Sequence, residues 1–135
     1  MQAFLVELKN RPGEVAKLTE AISAKGINIT GFTGATCGDS GSVCLITNDE
    51  ASTRRALQDA SYKVQERELV LATIPDRPGA LADATRRLGN AGVNIEAAVP
   101  TGMSGGGINV AFATDSASKA RTALGDLAAT GSMAR

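Results

Sequence analysis

Two short stretches carry the residues best suited to hold a small charged molecule. Residues 10–13 read Asn-Arg-Pro-Gly and residues 76–79 read Asp-Arg-Pro-Gly. Each is followed by an Asn between two apolar residues, Asn28 in the first case and Asn94 in the second. An amide or carboxylate suits an ammonium group, and the start of a helix offers free N–H groups and a positive dipole end to a carboxylate. A zwitterion needs both features within a few ångströms. Each residue also has an architectural reading. Asx-x-Pro-Gly is ordinary turn chemistry between a strand and a helix. Asn28 and Asn94 sit where Val or Thr would suit a strand better, so they either satisfy a neighbouring loop or face a ligand.

Other chemistries lack their residues. The chain has no His and two Cys, which excludes a zinc site of imidazole and thiolate ligands and leaves Cys37 with no base to activate it. "GMSGGG" (102–107) has no following Lys-Ser/Thr and opens no helix, so it is not a phosphate loop. Arg11 and Asn28 superficially mimic the Arg and Asn of acylphosphatases, but the Gly-Gln-Gly-Val loop that would cradle a phosphate is absent. The chain is therefore read as not an enzyme and as needing no cofactor. Lys plus Arg balances Asp plus Glu at 14 each, and aromatic residues are 3% with no Trp. That composition disfavours nucleic acid, whose recognition draws on basic patches and stacking rings. No apolar run spans a bilayer, and "MQAFLVELKN" lacks a basic leader and breaks at Glu7, so a cytoplasmic chain with reduced cysteines is expected.

The two stretches belong to a duplication at an offset of 66 residues. Arg11/Arg77, Pro12/Pro78, Gly13/Gly79, Ala16/Ala82, Thr19/Thr85, Gly26/Gly92, Asn28/Asn94 and Ile29/Ile95 are identical pairs. The same offset extends to "SVCLITND" against "INVAFATD", ending on Asp49 and Asp115. In each copy a β-rich run (3–8 and 69–74) meets the Pro-Gly turn, and a helical period then begins. Val15, Leu18 and Ile22 form the apolar stripe of the first copy, and Leu81, Ala84 and Leu88 that of the second. Pro12 and Pro78 are placed at the first helical position, and Gly26 and Gly92 at the helix stop. Second strands (27–32 and 93–99), Gly-rich loops, third strands and second helices (49–60 and 115–129) follow. "YKVQE" supplies a fourth strand in the first copy. Only "TGSMAR" is left for the second, so that strand is short or missing.

The order β-α-β-β-α-β, twice, is α+β. It predicts two ferredoxin-like repeats, 1–66 and 67–135, with antiparallel sheets, helices on one face, and the two packed as one unit. "NRPGEVAKL…KGINITG" and "DRPGALADA…AGVNIEA" resemble the ACT-domain family of small amino-acid-sensing modules, over nearly the whole chain. The resemblance implies ligands at the interface of two modules. Asn10, Arg11, Pro12, Gly13 and Glu14 would form one wall, completed by Asn94; Asp76, Arg77, Pro78, Gly79 and Ala80 would form the other, completed by Asn28. Serine-sensing members carry a His two residues before the loop Asn. Leu8 and Ile74 stand there, which argues against serine. The implied function is a non-catalytic sensor of free amino acids, a homodimer that regulates a partner enzyme or regulator. The competing reading is a scaffolding subunit that joins other proteins through its open sheet edge without any ligand.

Overall fold

The computed structural model describes residues 1–129, and the residues of "TGSMAR" lie outside them. The elements run β1 (Gln2–Lys9), α1 (Glu14–Ser23), β2 (Ile29–Cys37), β3 (Ser40–Thr47), α2 (Glu50–Asp59), β4 (Val64–Pro75), α3 (Ala80–Asn90), β5 (Ile95–Ser104), β6 (Gly107–Thr114) and α4 (Ala117–Leu124). They divide into two compact units: residues 2–66, and residue 1 with residues from 67 onward. The expected fourth strand of the first copy and first strand of the second are a single strand, β4.

In the first unit the strand order is β2-β3-β1, all antiparallel neighbours, and the chain entering β4 lies along β1, where Glu7 N–H donates to Lys63 O at 3.1 Å. In the second the order is β4-β6-β5. Among the described residues, a final segment joins it by one bridge, Ala128 against Ala72, with Ala129 N–H on Leu71 O at 2.8 Å. Each unit buries one helix-side core. Phe4, Val6, Leu18, Ile22, Leu45 and Leu57 anchor the first; Val70, Ala84, Leu88, Phe112 and Leu124 anchor the second. The aromatic ring changes strand between them. Phe4 faces Leu45 in the first, and Val70 faces Phe112 in the second, so each facing pair holds one ring and one aliphatic chain in similar total volume.

That pairing corrects the repeat register. Leu45 matches Phe112 and Thr47 matches Thr114, both 67 apart, whereas Ile29 matches Ile95 at 66. The extra residue is Thr101, a bulge in β5 where the register slips between Pro100 and Gly102. The counterpart of Asp115 is therefore Asn48, not Asp49. Each accepts from the matching Asn N–H at 3.0 Å, Asn48 from Asn28 and Asp115 from Asn94. Asp49 matches Ser116, and both cap a second helix, by accepting from Ser52 N–H and Lys119 N–H respectively.

The Gly-rich segments are not loops. β2 and β3 meet in a two-residue turn at Gly38–Asp39, and β5 and β6 in one at Gly105–Gly106. Positive φ at Gly38 (68°), Gly105 (55°) and Gly106 (77°) gives the turn hand that suits the strands' twist, so the glycines tighten the hairpins.

Candidate functional site

The Arg-Pro-Gly turn ends β1 and starts α1. Gly13 has φ 87° and ψ −11°, and Glu14 N–H donates to Arg11 O at 3.3 Å. This is a type II turn with Pro in its second position and Gly in its third, the place that requires positive φ. The second copy repeats it, with Gly79 at φ 86° and Ala80 N–H on Arg77 O at 3.3 Å. Pro12 and Pro78 thus stand one residue before the helix cap, not at the first helical position. The reason is that Gly, in a left-handed conformation, takes the cap itself.

A glycine cap has no side chain, and its consequence sets these helices apart. α2 and α4 are capped by the side chains of Asp49 and Ser116, whereas α1 and α3 have no side-chain cap. Among the described residues, no backbone acceptor is present for the N–H groups of Val15 and Ala16, or of Leu81 and Ala82. Each first helix therefore presents free donors and its positive dipole end at the turn that both copies share.

A groove of about 360 Å³ opens beside this point in the first unit, lined by Leu8, Lys9, Asn10, Arg11, Val15, Phe32, Gly34, Ala35, Thr36, Gly41, Ser42 and Val43. Its wall carries two exposed apolar side chains, Val15 (44% exposed) and Phe32 (46%). Val15 and its counterpart Leu81 (56% exposed) depart from the expected buried stripe; of the first helix only Leu18 and Ile22 are buried. Val15 borders the open groove instead, across from the strand residues Leu8, Phe32 and Val43. Asn10 pins the loop. Its N–H donates to Asp39 O at 3.1 Å and its Nδ2 to Gly38 O at 2.9 Å, so the side-chain oxygen stays available as an acceptor. Arg11 is bound to Glu14 at 2.9 Å, a bond that is the main cause holding the Glu14 carboxyl below its ordinary range. In the second unit Asp76 N–H makes the matching bond to Gly106 O at 3.2 Å, and a carboxylate replaces the amide.

The structure brings Asn10, Arg11, Pro12, Gly13 and Glu14 into one loop, and Asp76, Arg77, Pro78, Gly79 and Ala80 into another. It places Asn28 and Asn94 before their strands, not within them, and at the far end of the sheet from the loop of their own copy. The nine residues of β2 separate Asn28 from the Gly38 turn, roughly 30 Å at about 3.3 Å per residue. Both asparagines use their backbone in a two-way bridge; for Asn28, Asn48 N–H returns a bond to Asn28 O at 3.1 Å. The Asn28 and Asn94 side chains are exposed and make no hydrogen bond among the described residues. Sequence reading missed Val15 and Phe32 as groove residues. An exposed ring on a strand of threonines and glycines was the available signal.

A smaller cleft of about 230 Å³ lies between Phe4, Leu57, Tyr62 and the Arg54–Glu66 pair. Arg54 and Glu66 bond each other twice at 2.6 Å, so those charges already satisfy one another. No group of three or more metal-ligating side chains occurs among the described residues, and no helix there is long and apolar enough to cross a membrane.

The sequence profile described as "ACT domain pair" matches residues 1–126. The chain belongs to that family. Its fold agrees with solved structures of related architecture. A Bacteroides thetaiotaomicron protein is 25% identical, with a TM-score of 0.72, over 93% of this chain and 86% of that one. The regulatory subunit of aspartate kinase from Thermus thermophilus, in ligand-free form, is 19% identical with a TM-score of 0.62, over 93% and 90%. The corresponding subunit from Thermus flavus is 17% identical with a TM-score of 0.66, over the same shares. No curated protein sequence matches. The ACT pair is a regulatory module, and no catalytic family is matched.

Proposed function

We propose that this ACT pair is a non-catalytic sensor that binds a free amino acid at the β1–α1 loop and passes the bound state to a partner protein. The observation that carries the reading is the uncapped start of α1 beside an apolar groove, next to a pinned amide. The ligand carboxylate sits on the Val15 and Ala16 N–H groups, where the helix dipole favours a negative charge. Its ammonium meets the Asn10 side-chain oxygen, since the amide nitrogen is engaged with Gly38. Its side chain lies along Val15 and Phe32, which favours an apolar amino acid. The Asp76 to Ala80 loop and the uncapped α3 form a second site of the same kind, with a carboxylate beside the ammonium and hence unequal affinity. Asn28 and Asn94 offer exposed amides to whatever module faces a loop. The Thermus chains are regulatory subunits of aspartate kinase by description, which supports an enzyme as the receiver of the signal.

Thermal-shift measurement against the twenty amino acids tests this. An apolar amino acid at ten times its dissociation constant contributes about 1.4 kcal/mol, and so raises Tm by roughly 2–6 °C. Val15→Asp removes the shift without lowering the unliganded Tm by more than about 1 °C, because Val15 is already exposed. If none of the twenty moves Tm at millimolar concentration, free amino acids are not the ligand and the scaffolding reading stands.

A further inference from the structure

The stripe of α1 that faces the first core begins with a charge. Glu14, Leu18 and Ile22 recur every four residues and so share one face of the helix. Leu18 and Ile22 are buried in the core of the first unit, and the Glu14 side chain is only 15% exposed. The second copy carries Ala80, Ala84 and Leu88 at these places, all three buried. Glu14 thus takes a core-facing position where the other copy places a methyl group. Its Oε2 accepts from Nη2 of the exposed Arg11 at 2.9 Å, and its Oε1 accepts no hydrogen bond among the described residues.

Tyr62 packs against the same core, and its hydroxyl is buried with no hydrogen-bond partner among the described residues. A buried hydroxyl left in that state keeps its desolvation cost. Burial raises the ionisation of the phenol, and the charge of Glu14 raises it further, so the carboxylate lies within electrostatic reach of the ring. A carboxylate with a spare oxygen and a hydroxyl with no acceptor therefore face one core. The second copy lacks both: Ala80 stands in place of Glu14, and Tyr62 is the only tyrosine of the chain.

We propose that Glu14 is a two-position switch: Arg11 holds it away from Tyr62, and release from Arg11 lets it accept the Tyr62 hydroxyl. Arg11 keeps Glu14 in the resting protein because the pair offsets the desolvation of a largely covered carboxylate. A negative group arriving at the start of α1 changes that balance, since it competes for Arg11 and repels Glu14. The Tyr62 hydroxyl then supplies the bond that Arg11 gave up. Lys9 and Lys17, whose charges also favour the ionised Glu14, are exposed and make no ion pair with it. Tyr62 stands two residues before β4 and next to Ser61, whose φ of 61° is the one positive value at a non-glycine among the described residues. A bond at Tyr62 therefore acts on a strained connection that leads into β4. With the carboxylate of a bound amino acid as the negative group, this is a first step of the relay to a partner. That step rests on the amino-acid reading; the switch itself does not.

The experiment uses the full chain. With one tyrosine and no tryptophan, intrinsic emission comes from Tyr62 alone, and a carboxylate hydrogen-bonded to the phenol quenches it. Arg11→Ala is expected to lower the emission with far-UV circular dichroism unchanged, and Arg11→Ala/Glu14→Ala to restore it. Urea denaturation followed by circular dichroism gives a second reading. Tyr62→Phe raises the folding equilibrium constant about fivefold in the wild type, where it removes an unpaired hydroxyl, and lowers it about fivefold in Arg11→Ala, where it removes a bond. Unchanged emission in Arg11→Ala, emission that stays low in the double variant, or an effect of Tyr62→Phe with the same sign in both backgrounds overturns the switch. The non-aromatic amino acids are then added at millimolar concentration. One that raises Tm and quenches Tyr62 in the wild type but not in Arg11→Ala supports the relay step. One that raises Tm and leaves the emission unchanged sinks the relay step alone. A working switch with no Tm shift from any of the twenty amino acids sinks the sensing reading alone.

Discussion

Thr47 and Thr114 occupy equivalent ends of β3 and β6, and both side chains are buried. Their surroundings differ by one residue. Thr47 Oγ1 lies 2.7 Å from Thr53 Oγ1, whose hydroxyl also donates to Asp49 O at 2.7 Å. At the place of Thr53, α4 carries Ala120, and Thr114 Oγ1 has no hydrogen-bond partner among the described residues. A buried hydroxyl without a partner keeps its desolvation cost, whereas a bonded one returns a net gain of about 1 kcal/mol. The same substitution should therefore act in opposite directions. Thr47→Val is expected to lose about 1 kcal/mol in urea denaturation and Thr114→Val to gain about 1 kcal/mol. Equal losses would mean that both hydroxyls are bonded.

At the scale of elements, the turn that positions the site depends on one residue type. An added Cβ at Gly13 or Gly79 would meet nothing within 4 Å, so only the positive φ opposes a side chain there. Gly13→Ala and Gly79→Ala are each expected to cost about 1–2 kcal/mol, the left-handed penalty of an L-residue, measured as a lower denaturation midpoint. A change well under half of that would show that the turn relaxes out of its type II form. The turn was visible in the sequence because Pro and Gly announce φ directly, and so was the strand-helix order, because apolar period survives in Leu18, Ile22, Ala84 and Leu88. The hairpins were misread for the same reason: glycine marks a tight turn and a loose loop alike, and only pairing tells them apart. Thr101 was invisible, since a bulge is defined by what lies across the sheet. The chance likeness of Asp49 to Asp115 then hid the slip. Val15 followed the helical period and still lies exposed, because period reports which face a residue takes, not whether that face is filled, and Val15 borders an open groove.

At the scale of the whole molecule, the charge chemistry predicts an unusual pH profile. The chain has no histidine, so no side chain has its ordinary range between pH 5 and 8. Several carboxyls are held below their ordinary values: Glu66 by its hydrogen bonds from Arg54, Glu68 by Arg121, Asp126 by Arg87, and Asp49 by the Ser52 N–H it caps. A folded value depressed below the unfolded one gives stability that is present above the unfolded value, 4.5 for Glu, and lost as pH falls through the folded value. Cys44 acts with the opposite sign. Burial pushes its thiol from 9.0 up to about 11, so its contribution is complete below pH 9.0 and is lost as pH rises toward 11. Tyr62, raised by burial, adds to the loss above its ordinary 10.0. Urea midpoints at constant ionic strength should therefore be flat from about pH 5.5 to 8, fall below about 4.5, and fall again above about 9. Arg54→Gln should weaken the acid limb, by returning Glu66 toward its unfolded value, and Cys44→Ala should remove the first part of the alkaline limb. A step in stability between pH 6 and 7 would contradict this account, because the chain has no imidazole to produce it.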